Sequence, residues 1–87
     1  MELIPAIDLL DNIVVKAFLG ERKKYKPINT KLANSFRLEN VIVGLLNEYK
    51  FKIIYIADLN AIMGNKNNFK IIKKVIKKFP KINFWVD

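Results

Sequence analysis

Apolar and polar positions follow two different periods along the chain, and the changes of period divide it into elements. Residues 3–8 (LIPAID), 53–58 (IIYIAD) and 82–87 (INFWVD) are short, almost continuous apolar runs, which are typical of buried strands. Residues 36–49 and 69–79 instead carry apolar side chains every three to four positions, which predicts amphipathic helices. The chain is therefore predicted to alternate strand, helix, strand, helix and strand.

Turn signals separate these elements. Asp11 and Asn12 lie between an apolar pair and a β-branched run, and both residue types tolerate the positive φ angles of a tight hairpin turn. Residues 13–18 are therefore predicted to form a second strand, paired with the first. Residues 20–34 are polar and follow neither period, which predicts a long loop, and a turn is predicted at Gly64.

This order of elements is typical of one fold class. Apolar strands that alternate with amphipathic helices form a parallel sheet covered by helices, because strand-helix-strand connections are right-handed crossovers. We therefore predict an α/β protein with a (βα)₂β unit of parallel strands and a β-hairpin after the first strand. Such a unit occurs in TIM barrels and in doubly wound folds.

Each of the three predicted parallel strands ends in a carboxylate: Asp8, Asp58 and Asp87. The carboxyl ends of the strands carry the active site in both folds. If the strands are neighbours in register, the three side chains converge, and like charges held close raise one another's pKa, which suits acid/base catalysis. Such a cluster could also hold a hard cation. The alternative for any single aspartate is that it only bonds the backbone of the following turn.

Three residues are predicted to bind an anionic ligand near the carboxyl ends of these strands. Lys16 lies in the hairpin strand, and Arg22 and Tyr25 lie in the predicted loop. Arginine offers a bidentate fork to phosphate or carboxylate. The alternative is a solvated loop in a lysine-rich protein.

Composition limits the chemistry and the partners. The 87 residues suffice for a single domain, and they include no cysteine and no histidine, which removes thiolate and imidazole chemistry. We predict no metal and no cofactor.

The net charge of +8 comes mostly from lysine, in a chain also rich in asparagine and isoleucine, so A/T-rich codons explain it without a nucleic-acid partner. No apolar run is long enough to span a bilayer and no export signal is present, which predicts a cytoplasmic protein without a membrane partner.

Two segments carry a family resemblance. Residues 4–18 (IPAIDLLDNIVVKAF) and 54–68 (IYIADLNAIMGNKNN) resemble the first two strand regions of the histidine-biosynthesis barrels of the HisA/HisF type. A closer similarity is to the HisA-like proteins of uncharacterised role in methanogens and methanopterin-using methylotrophs. It rests on residues 20–22 (GER), 25–27 (YKP) and 84–87 (FWVD) together with the IADLNAIMG stretch.

The resemblance implies a (β/α)₈ barrel of which residues 1–87 form a single partial domain, about a third of the roughly 250 residues that a barrel needs. It implies a truncated protein or fragment whose parent is an isomerase of a phosphoribosyl compound. In that reaction, an aminoaldose-to-aminoketose rearrangement, Asp8 is the acid/base residue. Asp58 and Asp87 would assist, while Arg22 and Lys16 would hold a phosphorylated ligand.

Open strand edges in a partial barrel predict self-association, because an unpaired edge is a template for another chain. The alternative to an enzyme is therefore a non-catalytic, self-associating module. A third hypothesis is nucleic-acid binding through the lysines of the second helix. We expect those lysines to form only the solvated outer face, because no aromatic residue is interleaved among them to stack on bases.

Overall fold

Five strands and three helices make up the part of the chain that the computed structural model describes. It covers residues 3–21, 24–27, 37–64 and 66–87, with residues 21 and 24–27 described by their backbone alone. In chain order the elements are β1 (Ile4–Leu10), β2 (Ile13–Glu21), β3 (Lys24–Pro27), α1 (Leu38–Glu48), β4 (Ile53–Asp58), α2 (Leu59–Met63), α3 (Phe69–Lys78) and β5 (Asn83–Val86).

The strands form one mixed sheet in the order β3-β2-β1-β4-β5. Strands β1, β4 and β5 are parallel, while β2 is antiparallel to both β1 and β3. The predicted parallel strands and the hairpin after the first strand are confirmed. The result is a small α/β domain with an open sheet, which fits one part of a barrel.

The hairpin between β1 and β2 closes through a left-handed turn. Asp11 and Asn12 have φ angles of 50° and 67°, the conformation that two-residue hairpin turns require and that these residue types tolerate. The pairing shifts between Asp8, which faces Lys16, and Leu9, which faces Val14. Val15 is thus an extra residue that forms a β-bulge beside Asp8.

The core lies between one face of the sheet and the two longer helices. Alternate residues of β1 and β4, among them Ile7 and Ile56, are fully buried against α1 and α3. The intervening residues of β1 on the other face are only partly buried. We call this second face the open face. Within the described residues, the apolar runs are therefore fully buried mainly on the helix side, because the helices cover one side of the sheet alone.

The helices agree with the predicted periods apart from their ends. α1 begins at Leu38, with Arg37 as its N-cap, and α3 ends one residue before Phe79. α3 buries Ile72 and Val75 but leaves Phe69 exposed. No helix within the described ranges is both long and apolar enough to cross a membrane.

Two elements differ from the prediction. β3 lies inside the predicted loop, at the edge of the sheet. An edge strand tolerates Pro27, which lies opposite Phe18 and has no N–H to donate. α2 occupies the segment before the predicted turn, with Asp58 as its N-cap and Gly64 at its carboxyl end. Five residues are too few to display a helical period.

Gly64 provides a test of the α2 end. Its φ of 79° is left-handed, and a Cβ atom placed there would meet nothing within 4 Å. Gly64→Ala should therefore lower the free energy of unfolding by about 1 kcal/mol through backbone strain alone. Gly64→Asn should recover part of this loss, since asparagine tolerates that conformation. Urea denaturation followed by circular dichroism measures both, and equal stability of the alanine variant and the wild type would contradict backbone strain at this position.

Candidate functional site

The three predicted aspartates lie at one edge of the sheet. Asp8 is near the end of β1, Asp58 is the last residue of β4, and Asp87 directly follows β5. Because these three strands are parallel, their carboxyl ends meet at the same edge. The structure therefore brings the three residues to one end, and the register decides which of them share a face.

Asp8 and Asp87 share the open face. Asp8 pairs with Ala57 in the ladder between β1 and β4. Asp87 donates its N–H to the Ile56 carbonyl at 2.9 Å and accepts the Asp58 N–H at 3.0 Å, which places Asp87 opposite Ala57 as well. Paired residues point to the same face, so the two carboxylates flank Ala57 with about 10 Å between their Cα atoms, two strand spacings.

Lys16 adds a positive charge near these carboxylates on the open face. It lies directly opposite Asp8 in the antiparallel ladder, so both residues are on the open face. The bulge at Val15 follows the turn and comes just before Lys16. Bulges commonly re-aim side chains next to active sites. We define the carboxylate rim as Asp8, Lys16 and Asp87.

Asp58 points to the opposite, helix-covered face. It pairs with Leu9, one position beyond Asp8, and side chains alternate along a strand. Asp58 is 0% exposed and accepts hydrogen bonds from the Ala61 N–H at 3.1 Å, the Asn68 N–H at 2.6 Å and the Asn68 Nδ2 at 2.7 Å. The expectation that all three carboxylates converge on one face is therefore wrong for Asp58.

Asp58 keeps its negative charge although it is buried. Burial alone raises the pKa of its carboxyl group, but the hydrogen bonds that it accepts act in the opposite direction. The donors are the backbone N–H of Asn68 and Ala61, the Asn68 side chain and the Asn60 backbone, and together they lower the pKa below its ordinary value. Asp58 is thus an ionised anchor for the backbone that follows β4.

The other predicted ligand residues do not all reach the rim. The backbone of Tyr25 pairs with Gly20, which pairs with Ile4 at the start of β1. Ile4 is four residues from Asp8, or about 13 Å along the strand, so Tyr25 belongs to the other end of the sheet. Arg22 lies outside the described residues.

A groove occurs on the helix side of the sheet rather than at the rim. Its volume is about 430 Å³, and it lies between α1 and α3. Its lining comprises Asn12, Arg37, Leu38, Glu39, Asn40, Lys70, Ile71, Lys74 and Val75. Within the described ranges, no three acidic residues come close enough together to form a metal site.

The sequence pattern did not indicate two buried asparagines. Asn60 is 5% exposed and Asn68 is 1% exposed. Asn68 is the N-cap residue of α3, yet its side chain makes no capping bond and donates to Asp58 instead. Asn67 bonds the helix start instead, through its Oδ1 and the Phe69 N–H at 3.1 Å. The signal that could have found them is that Asn60 and Asn68 both follow closely after Asp58, the aspartate that ends β4.

Comparison with known proteins identifies one family and one similar protein. Residues 2–87 match the family described as "Histidine biosynthesis protein". An uncharacterized protein of Methanocaldococcus jannaschii is 45% identical over 75 residues, which cover 86% of this chain and 33% of that protein. The chain therefore spans about a third of the length of this curated relative. No solved structure matches the chain.

The buried Asp58 carboxylate should make stability depend on pH. Asp58→Asn should lower the free energy of unfolding by about 3 kcal/mol at pH 6.5, because it replaces an acceptor of several hydrogen bonds by a group that is half donor. The pKa of Asp58 is lowered in the folded state, so its contribution is complete above the unfolded value of about 3.9 and is lost as the pH falls through the folded value.

The stability difference between wild type and Asp58→Asn should therefore shrink from pH 5 toward pH 2.5. Urea denaturation at several pH values, followed by circular dichroism, measures it. Glu48→Gln is the control, because Glu48 is exposed on α1 and its substitution should change stability by less than about 0.5 kcal/mol. A difference that stays constant down to pH 2.5 would show that Asp58 is not the responsible group.

Proposed function

The chain belongs to the histidine biosynthesis protein family, and from this membership we propose that it supplies part of an isomerase site for a phosphorylated, phosphoribosyl-type small molecule. The part supplied is the carboxylate rim. The remaining part of the site would come from further (β/α) units that cover the open face, because a complete barrel of this type has eight strands.

The observation that supports the proposal is the placement of Asp8 and Asp87 on one face, on either side of Ala57. An aminoaldose-to-aminoketose rearrangement needs an acid to protonate the ring oxygen as the sugar opens, and a base to remove the proton from C2. Two carboxylates whose backbones are about 10 Å apart leave room between them for a small sugar. We assign acid/base work to Asp8 and the assisting role to Asp87.

Lys16 and Asp58 have different roles in this proposal. Lys16 is exposed on the open face, where its ammonium group contacts the phosphate of the ligand. Asp58 faces the helices, so it assists without touching the ligand. Its hydrogen bonds to Ala61 and Asn68 hold the backbone that begins α2 and α3 beside the rim.

Ligand binding at the rim tests this proposal. We expect ribose 5-phosphate, titrated into ¹⁵N-labelled protein, to shift the amide signals of Asp8, Lys16, Ala57 and Asp87. Lys16→Ala should weaken the apparent affinity by up to about fivefold, the range of an exposed charge contact. Lys50→Ala is the matched control, since Lys50 is exposed beyond α1 and should leave the titration unchanged. Shifts confined to the lysines of α3 would refute a site at the rim.

A second candidate function is a self-associating module, and the apolar part of the open face favours it. Trp85 on β5 is 51% exposed and lies opposite Tyr55 in the register. β5 is also an edge strand, whose outer backbone groups are open to another strand. We propose a second copy of the chain as the occupant.

Light scattering over a concentration series tests self-association. We expect a dimer or larger assembly for the wild type and a shift to monomer for Trp85→Lys, which places a charge on the open face. Val43→Lys is the control, because Val43 is 42% exposed on α1, on the side of the sheet away from the open face. A wild type that stays monomeric at high concentration, or equal effects of both substitutions, would remove this candidate.

A further inference from the structure

A partly buried polar network joins the hairpin turn to the segment that follows β4. Its members are Asp11, Asn12, Asp58, Asn60 and Asn68. We infer that Asn60 and Asn68 are positioning residues, which hold the turn between β1 and β2 and thereby place Lys16 and Asp8 at the rim. The role at the rim rests on the proposed function, while the hold on the turn does not.

Asn68 uses both donor hydrogens and the oxygen of its side-chain amide. Its Nδ2 donates to Asp58 Oδ1 at 2.7 Å and to Asn60 Oδ1 at 2.9 Å, and its Oδ1 accepts the Asn12 N–H at 2.8 Å. An amide offers two donor hydrogens and one oxygen, so no capacity remains unused on the nitrogen. The contact with Asn12 joins residues 56 positions apart in the chain.

Asn60 makes the second connection to the turn. Its Oδ1 accepts the Asp11 N–H at 2.8 Å, and its Nδ2 donates to Asp11 Oδ1 at 3.0 Å. Both backbone N–H groups of the two-residue turn are therefore bound by buried asparagines rather than by water. Every buried side-chain nitrogen and oxygen within the described ranges has a partner, which is the condition for such a network to be stable.

The Asp58 carboxylate at one end and the backbone N–H groups of the turn at the other set the direction of the bonds in this network. An ionised carboxylate only accepts, so the Asn68 amide must turn its nitrogen toward Asp58 and its oxygen toward Asn12. The second hydrogen of that nitrogen then requires the oxygen of Asn60, which leaves the Asn60 nitrogen for the Asp11 carboxylate. Each hydrogen bond between the buried Asp58 carboxylate and the hairpin turn thus has a defined donor and acceptor.

The position of the turn matters because the rim begins next to it. Asp11 and Asn12 have left-handed backbones, and the bulge at Val15 separates the turn from Lys16. A hairpin without an anchor is free to slip in register, and a slip of one residue would turn Lys16 to the other face. The two asparagines bind the turn from outside its own strands and so oppose that slip.

Hydrogen exchange of the turn amides tests the inference. In the wild type, the Asp11 and Asn12 amides should be protected although both residues are exposed. Asn60→Ala should speed exchange of the Asp11 amide by about tenfold, the equivalent of one lost hydrogen bond, without changing the Ile7 and Ile56 amides. Asn67→Ala, which removes only an exposed bond to Phe69, should leave the turn unchanged.

Three outcomes would overturn the inference. The first is a lack of protection of the turn amides in the wild type, which decides the question even if Asn60→Ala does not fold. The second is unchanged exchange in Asn60→Ala, and the third is faster exchange by the same factor throughout the sheet, which indicates general destabilisation.

The consequence for the rim is read from the Lys16 amide. Its chemical shift and its response to ribose 5-phosphate should differ from the wild type in Asn60→Ala and should equal those of the wild type in Asn67→Ala. A wild type that gives no response to ribose 5-phosphate would refute the proposed function alone, and the exchange pattern would still decide whether the asparagines position the turn.

Discussion

The register between β1 and β4 is the constraint on which the rest of the structure depends. Asp8 lies opposite Ala57, and Asp58 lies opposite Leu9. Since side chains alternate along a strand, this offset of one position sends Asp8 to the open face and Asp58 to the helix side. A register shifted by one residue would exchange the two, placing a buried carboxylate without donors among the helices.

The two faces of the sheet consequently differ in burial and in the carboxylates that they carry. On the helix side, apolar residues of α1 and α3 exclude water, and the buried Asp58 carboxylate is stable because Ala61 and Asn68 donate to it. On the open face, Asp8 and Asp87 keep their side chains away from the core. The buried Asp58 and the two carboxylates proposed to act on the ligand thus lie on opposite faces of the sheet, and Asn68 connects Asp58 to the hairpin turn.

Much of the fold follows from local pattern. The apolar runs locate β1, β4 and β5, the helical periods locate α1 and α3, and the residue types at positions 11 and 12 locate the hairpin turn. Local pattern does not reveal β3, whose polar residues become a strand by pairing with β2. It also does not separate Asp58 from Asp8 and Asp87, because all three end similar apolar runs.

The sequence by itself determined the order of β1, β2, α1, β4, α3 and β5, the family over residues 2–87 and the presence of three carboxylates at strand ends. These properties depend on residues close together in the chain or on direct similarity. Only the tertiary structure decided which carboxylates share a face and that Asn60 and Asn68 bind the distant turn. Those contacts join residues 49 and 56 positions apart, and their geometry depends on strand register and helix packing, which no local period encodes.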